Sequence, residues 1–498
     1  MTRYLLFSIL LPLSFFMSVM PSSAQTTKIL TLDEVVELAR EQSIDAMIAK
    51  HQFLSAYWEY RSFKARQLPS LVLGLNIPIF AHSIAALQDP QTGAYNYVDQ
   101  FSMRNNVSLA VNQRIAATGG TLSLYSSLER LDQFAPTRYT RYSSQAISLE
   151  YRQPIFGTFN QMKWDRKIAP EIYDRGKFRY LESMESVAQT AARYFFALAM
   201  EQQNSYIVHQ NLTNTQNLYE IAQERFKIGA ITQNDLMQLE LNMTNAGLDV
   251  NRSEISLRIA KFNMASYLGY NQTVDIELIL PDQLPGIRLE FPQIFQLSMS
   301  NTSFSADMKI ALLQAESNVA RARANRGMSM DLFTQFGLNQ TGSDMGESYR
   351  RPLDQENVRI GMSIPLFDWG VGRGGVRQAE SLQNVVVAQQ DQVLIAHEQE
   401  ILLSVMEFNN QQDQCFMAER ADSIARSRYE IATQLFQAGS MTVLEFTNAQ
   451  KEKDESMKRY ITELSNYWNY YYSIQKITLY DFRNRKNIST DFDELIQE

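Results

Sequence analysis

The chain has 498 residues and a formal net charge of −8, and it carries no long basic blocks, which argues against nucleic acid as a partner. Its 20 glycines and 13 prolines gather at a few junctions, leaving most of the length free to form long helices. The single cysteine, Cys415, allows no internal disulfide and is expected to pack on a helix.

Residues 1–24 read as a secretory signal. Arg3 precedes an apolar run over 4–17, and Ser22 and Ala24 put small side chains where a signal peptidase reads, just before Gln25. No cysteine sits at that cleavage point, so a lipid anchor there is not indicated. No later stretch is apolar enough to cross a bilayer as a helix, which takes roughly 20 apolar residues in a row. Any membrane insertion must therefore use strands.

Segment 25–68 is read as an N-terminal stretch and a first helix. Thr31 and Glu34 have capping-box spacing, and the helix is expected to end near Gln67, before Pro69. Segment 69–157 comes next as a first set of strands. Leu71, Leu73, Leu75, Ile77 and Ile79 alternate with Val72, Gly74, Asn76 and Pro78, and Ile147, Leu149 and Tyr151 with Ser148, Glu150 and Arg152. Runs of about 9–11 residues with one apolar face suit tilted strands between lipid and water.

Segment 158–268 is read as a long helical hairpin. Residues 161–228 contain one proline, Pro170, and at roughly 1.5 Å per residue would extend on the order of 100 Å. After a turn at Gly229, the return helix 234–268 carries Leu236, Leu239, Met243, Ala246, Val250, Ser253, Leu257, Ala260 and Met264 in steps of three and four. That is a coiled-coil seam. Segment 269–303 reads as an irregular equatorial connection. Segment 304–328 is a helix whose core face is Met308, Ala311, Leu312, Ala315, Val319 and Ala322.

Segment 329–369 is a second strand pair. Leu332, Phe336 and Leu338 alternate with Asp331, Gln335, Gly337 and Asn339, and Val358, Ile360, Met362 and Ile364 with Arg359, Gly361 and Ser363. Segment 370–477 is a second long hairpin, with helices over 375–438 and 443–477, and 478–498 is an irregular equatorial tail.

At the start of that hairpin, Gly370, Gly372 and Gly375 fall in a G-x-G-x-x-G pattern with Asp391 about 20 residues on, a dinucleotide fingerprint on paper. Two observations set it aside. Residues 219–235 (YEIAQERFKIGAITQND) align with 429–445 (YEIATQLFQAGSMTVLE) at an offset of 210, and 151–157 (YRQPIFG) with 362–368 (MSIPLFD) at an offset of 211, so the chain is a duplicated unit. The glycine segment is one of two equivalent junctions, and its counterpart has a single glycine. The strand before it alternates, whereas a Rossmann strand is apolar on both faces. The glycines instead let the backbone bend where a strand becomes a tightly packed helix.

Two F-x-x-G-x-x-T turns (Phe226, Gly229, Thr232 and Phe436, Gly439, Thr442), the strand exits Pro154, Phe156, Gly157 and Pro365, Phe367, Gly370, and the opening TLDEVVELA together carry a resemblance. The chain resembles the TolC-type outer-membrane efflux protein family along essentially its whole mature length. The resemblance implies a mostly α fold with a membrane β-barrel. In it an internally duplicated, long antiparallel coiled-coil α-helical barrel and a few transmembrane strands per protomer are closed by trimerisation. It implies a homotrimer in the outer membrane of a Gram-negative bacterium, in contact with outer-membrane lipid and extending into the periplasm, with no cofactor and no enzymatic reaction. Such a trimer works as the exit duct for drugs, other toxic compounds or secreted polypeptides, fed by a periplasmic adaptor (membrane fusion protein) and an inner-membrane transporter.

Elementary physics asks for the oligomer independently. Four to six strands per chain cannot close a barrel, which takes at least about eight, and an open edge in lipid leaves unpaired backbone groups. The family pattern has four strands per chain, but residues 105–129 add an alternating hairpin, VSLAVNQRI–ATGG–TLSLYSS. It either contributes two more strands, the preferred reading, or folds over as a plug.

In the family, acidic residues just beyond the second turn ring the periplasmic entrance. Glu445 matches the first and Asn448 the second, so one ring is missing. Met441 stands where the type member has an arginine, which leaves an ionic latch with Asp235 unsupported. Three Glu445 side chains are expected to form a cation-favouring constriction; the alternative is a solvated helix-start glutamate favoured by the macrodipole. Trp164 and Trp369, just past strand exits, suit an aromatic girdle.

HEQEI (397–401) lacks a second histidine at zincin spacing, and no metal site is expected. YWNYYY (467–472) is read as aromatic packing, and KEKDES (451–456) as a wet helix face that could touch an adaptor. Two other classes stay open. A periplasm-spanning scaffold or adhesin without a continuous lumen would suit a plugging hairpin, and an exported enzyme would need clustered catalytic groups that the sequence does not offer.

Overall fold

The computed structural model describes residues 27–88, 91–270, 274–281, 284–438 and 440–497. The expected signal segment and Gly439 lie outside the described residues. In chain order the elements are β1 (Thr27–Leu30), α1 (Leu32–Gln42), α2 (Ile44–Ala65), β2 (Ser70–Gln88), β3 (Tyr95–Ile115), β4 (Gly120–Ala135), β5 (Tyr139–Phe156), α3 (Gln161–Lys227) and α4 (Gln233–Tyr267). They continue with β6 (Asp275–Leu278), α5 (Phe291–Asn301), α6 (Ser303–Asn325), β7 (Ser329–Gly342), β8 (Leu353–Ser363), α7 (Val371–Gln437), α8 (Val443–Thr478), β9 (Tyr480–Asp481), β10 (Lys486–Asn487) and α9 (Phe492–Gln497). Two compact units result, and α3, α7 and α8 contribute residues to both.

One unit comprises residues up to 44, 190–284 and 414–466. Its core follows from the seam predicted on α4: Leu239, Ser253 and Met264 are buried and the other seam residues half-buried, while most positions between them are exposed. On α3 the small Ala191, Ala192 and Ala199 are buried among Phe195, Phe196 and Leu198, a spacing that lets neighbouring helices approach closely. The connection expected to be irregular contains β6, which pairs in parallel with β1. Gln202 of α3 holds this ribbon, accepting from Leu278 N at 3.2 Å and donating to Ile276 O at 3.5 Å. Strands of four residues each are too short to leave an alternation signal in the sequence.

The capping box at Thr31 is present: Glu34 Oε2 accepts from Thr31 N at 2.7 Å, and Thr31 Oγ1 accepts from Glu34 N at 3.4 Å. The helix it opens is nevertheless not continuous to Gln67. Ser43 turns extended (φ −70, ψ 151) after its N–H has closed the last turn on Ala39 O, and α2 starts afresh at Ile44. No proline or glycine marks that break.

The other unit comprises residues 45–189, 285–413 and 467–498. It holds a six-stranded antiparallel sheet in the order β2-β3-β4-β5-β7-β8. The additional hairpin is therefore part of the sheet, as β3 and β4. The strands run from 11 to 21 residues rather than 9–11. Apolar alternation fades beyond Ile79, but backbone pairing continues to Gln88 opposite Tyr95, so the strands outrun the pattern that reveals them.

Beside the sheet, Ala49 and Phe53 of α2 pack with Tyr180 and Leu181 of α3, Leu479 and Phe492. Asp307 of α6 accepts from Arg175 and Arg179 of α3. Glu182 of α3 caps α6, accepting from Ser303 N at 2.7 Å and Ser303 Oγ at 2.9 Å. Of the expected core face on α6, Ala315 and Val319 are buried and Met308, Ala311, Leu312 and Ala322 half-buried, while Ala306 and Ile310 are buried as well. The tail is not irregular: β9 and β10 pair, and α9 comes after them.

Candidate functional site: a two-faced sheet and two hairpin tips

Every strand of the sheet contributes apolar side chains to one face, with Gln113 opposite Leu122 and Glu356 opposite Phe336 as polar exceptions on it. Leu71, Leu73 and Leu75 of β2 stand opposite Val111, Leu109 and Val107 of β3. On the same face lie Leu122 and Leu124 of β4, Ile147 and Leu149 of β5, Phe336 of β7, and Val358, Ile360 and Met362 of β8, and all are exposed. β3 and β4 obey this pattern like the other four strands. The opposite face is hydrogen-bonded: Gln335 Nε2 donates to Tyr125 Oη at 2.6 Å and Ser148 Oγ at 3.2 Å, and Gln145 and Asn339 both donate to Gln355 Oε1, at 3.3 and 3.1 Å. Exposed apolar side chains of this extent call for a hydrocarbon environment.

The strand exits are built for a sharp bend. Gly157 has φ +75, and a Cβ there would sit 2.3 Å from Met328 O, so only glycine fits. Gly370 has φ +87, and a Cβ on Gly372 would sit 2.7 Å from Arg326 O. Asp368 accepts from Gly370 N at 2.9 Å and Gly372 N at 2.8 Å, capping α7, and these bonds lower its pKa. Gly375 meets no such constraint. The glycine pattern thus belongs to a strand-to-helix corner, and α7 starts at Val371, ahead of the expected 375. Pro154 lies within β5, paired with Asp331, while Pro365 lies just past β8. Phe156 is exposed, and Leu366, Phe367, Trp369 and Val371 form an exposed apolar corner, with Trp369 88% exposed. Trp164 is only half-buried and lies under the Lys167 ammonium at 4.8 Å.

At the first tip, Gly229 (φ +74) donates to Phe226 O at 2.9 Å and Ala230 N to Arg225 O at 2.8 Å, a Schellman ending for α3. Thr232 then caps α4, with Asp235 Oδ2 accepting from Thr232 N at 3.1 Å. At the second tip, Ser440 N donates to Leu435 O at 2.9 Å, and Glu445 Oε2 accepts from Thr442 N at 3.0 Å and Thr442 Oγ1 at 2.7 Å. These bonds hold both carboxyls below their ordinary range, so both stay ionised. Asn448 is exposed on the next turn of α8. Among the described residues, no hydrogen bond or ion pair links Asp235, Glu445 and Asn448. Met441 packs with Phe436, Phe446, Ala432 and Ala449, an apolar cluster that the sequence pattern did not reveal.

The remaining candidates are structural. His397 Nε2 lies 2.6 Å from Ser298 Oγ and its ring stacks on Phe304. No metal-binding cluster of His, Cys, Asp or Glu occurs among the described residues. Tyr467, Trp468, Tyr471 and Tyr472 are buried, with Tyr467 Oη donating to Pro285 O at 2.8 Å. Cys415 is buried and its thiol pushed up to about 12 by desolvation. Within 451–456 the wet-face reading holds for Lys451 and Glu455 but not for Asp454, which is half-buried and accepts from Asn211 of α3 at 2.7 Å.

Residues 304–477 match the outer membrane efflux protein family, a family of channels rather than enzymes. Several solved structures share the fold. The Campylobacter jejuni CmeC outer membrane channel is similar with TM-score 0.63 at 16% identity, over 94% of this chain and 88% of that one. The Vibrio cholerae outer membrane protein VceC gives 0.62 at 16% identity, over 90% and 95%. The Neisseria gonorrhoeae MtrE channel in its open state gives 0.60 at 13% identity, over 92% and 91%. No curated protein sequence matches the chain.

Proposed function

We propose that this chain, which has the TolC-type outer-membrane channel fold and carries an efflux-family domain over 304–477, assembles as a homotrimer. The trimer passes small toxic compounds or secreted polypeptides out of the cell. The observation that carries the reading is the two-faced sheet, whose outer strands β2 and β8 each have an edge with no partner among the described residues. In hydrocarbon those edges need partners, and a second copy supplies them: β8 of one protomer pairs with β2 of the next. Three six-stranded sheets would make a barrel of 18 strands, a size class that leaves an aqueous channel.

The helices support the same assembly. On α4, Leu241, Leu248, Ile255 and Phe262 recur every seven residues and are all at least half exposed; on α7, Met417, Ile424 and Ile431 do likewise. These stripes lie off the seam and are the surfaces a neighbouring copy would cover. A periplasmic adaptor and an inner-membrane transporter would feed the duct, with three Glu445 carboxylates favouring cations at its entrance. The scaffold alternative loses its main support, since β3 and β4 lie within the sheet and not across it.

The test is disulfide capture in a Cys415→Ala background, pairing Leu73→Cys with Val358→Cys or Ile360→Cys. Covalent trimers on oxidation, together with stable conductance in planar bilayers, are the expected result. Monomers throughout would refute the assembly.

A further inference from the structure

One row of the sheet's polar face gathers arginines. Register sets Arg114 of β3 opposite Thr121 of β4, Thr121 opposite Arg152 of β5, Arg152 opposite Phe333 of β7, and Phe333 opposite Arg359 of β8. The row lies near the end of the sheet where strands join helices, close to Ile115, Ser329 and Ser363. All three arginines are exposed. Phe333 is 8% exposed although it stands on the polar face, and the guanidinium carbons of Arg152 and Arg359 lie 5.6 and 5.0 Å from its ring centre.

A buried ring on a polar face needs a reason, and the two guanidiniums supply it: the aromatic face holds both at fixed height. Two carboxylates share the neighbourhood. Glu150, one row further along, lies 3.4 Å from Arg152, and Asp331 stands opposite Gly361 in the row nearer the helices. Among the described residues, neither Arg114 nor Arg359 has a carboxylate within ion-pair distance. Three cations against two anions leave the band positive in a chain whose net charge is −8.

We propose that Arg114, Arg152 and Arg359 form an oxyanion-binding girdle at the periplasmic end of the barrel lumen, taking carboxylate, sulfate or phosphate groups of anionic cargo in passage. This rests on the channel function proposed for the trimer. Guanidinium forks match such groups in geometry and in charge, and rings of charged side chains set selectivity in pores. A trimer would place three such rows around one lumen. Phe333 positions two of the three side chains and makes no ligand contact itself.

The test uses the assembled full-length channel in planar bilayers, with inorganic tripolyphosphate as the probe. Wild-type current is expected to be blocked by tripolyphosphate, with the half-blocking concentration raised roughly tenfold or more in R114Q/R152Q/R359Q. R114K/R152K/R359K is expected to retain most of the block, and the single variant R359Q to fall between, which covers failure of the triple variant to assemble. Normal conductance with block unchanged in both R359Q and the triple variant overturns the girdle while leaving the channel intact. Absence of any conductance in the wild type overturns both.

Discussion

At the α3–α4 tip, Phe226 is 40% exposed and Ile228 80%, whereas at the α7–α8 tip the equivalent Phe436 is 6% exposed and packs on Phe446 at 5.1 Å. Both tips derive from one F-x-x-G-x-x-T motif, and both end in a Thr-centred capping box. The difference lies in the residues on the far side of the turn: Met441 and Phe446 close an apolar cluster in the second repeat, while their counterparts Ile231 and Leu236 are only half-buried. Duplication has kept the backbone device and changed its packing. A tip whose turn phenylalanine stands exposed is the more easily remodelled of the two.

Several substitutions test that contrast, from the largest expected effect downward. Phe436→Ala should cost about 3–5 kcal/mol of local stability, and Phe226→Ala well under about 1 kcal/mol. Amide hydrogen exchange over the two turns measures both, and equal losses would erase the contrast. Gly229→Ala meets no atom within 4 Å but must hold φ +74, so it should destabilise the first tip by about 1–2 kcal/mol through the backbone alone. Thr232→Ala and Thr442→Ala remove matching caps and should each cost about 1 kcal/mol. A large difference between the two would mean the capping boxes are not equivalent.

The smallest effects concern charge. The backbone and side-chain bonds from Thr442 lower the Glu445 pKa, and the side-chain and backbone bonds from Thr232 lower that of Asp235. Folded values below the ordinary carboxylate range mean the caps contribute fully above that range. The contribution is lost as pH falls through the lowered values. Faster amide exchange at both tips on acidification is therefore expected, and it should be absent for Glu445→Gln at the second tip only. The same variant should reduce cation preference in single-channel records; an unchanged preference would leave Glu445 as a cap without a role in selectivity.

The helical hairpins were legible because their signals are long. A proline-poor stretch and a seam repeated over many turns located α3, α4, α7 and α8 to within a few residues. The six strands were legible in the halves nearer the helices, where apolar and polar side chains alternate, and the continuation of β2 and β3 toward Gln88 and Tyr95 was not, because pairing there is carried by the backbone. The break at Ser43 and the β1–β6 ribbon left no trace in composition or period. Of the site, Glu445 and Asp235 were found by motif, although their engagement in caps required geometry. The arginine row was hidden for a different reason. Arg152 and Arg359 stand at polar positions of their alternating runs, but only the register across three strands, β5, β7 and β8, shows that they flank one phenylalanine.

The central claim is that one face of the six-stranded sheet meets lipid and the other meets water. Single cysteines in a Cys415→Ala background, labelled in intact cells with a membrane-impermeant maleimide, test it most directly. Replacements at Ser108, Tyr125 and Asn357 should label, while those at Leu73, Leu109, Leu149 and Val358 should stay protected and instead react with a lipid-soluble reagent. Labelling that ignores the alternation, or that reaches both faces equally, would contradict the account.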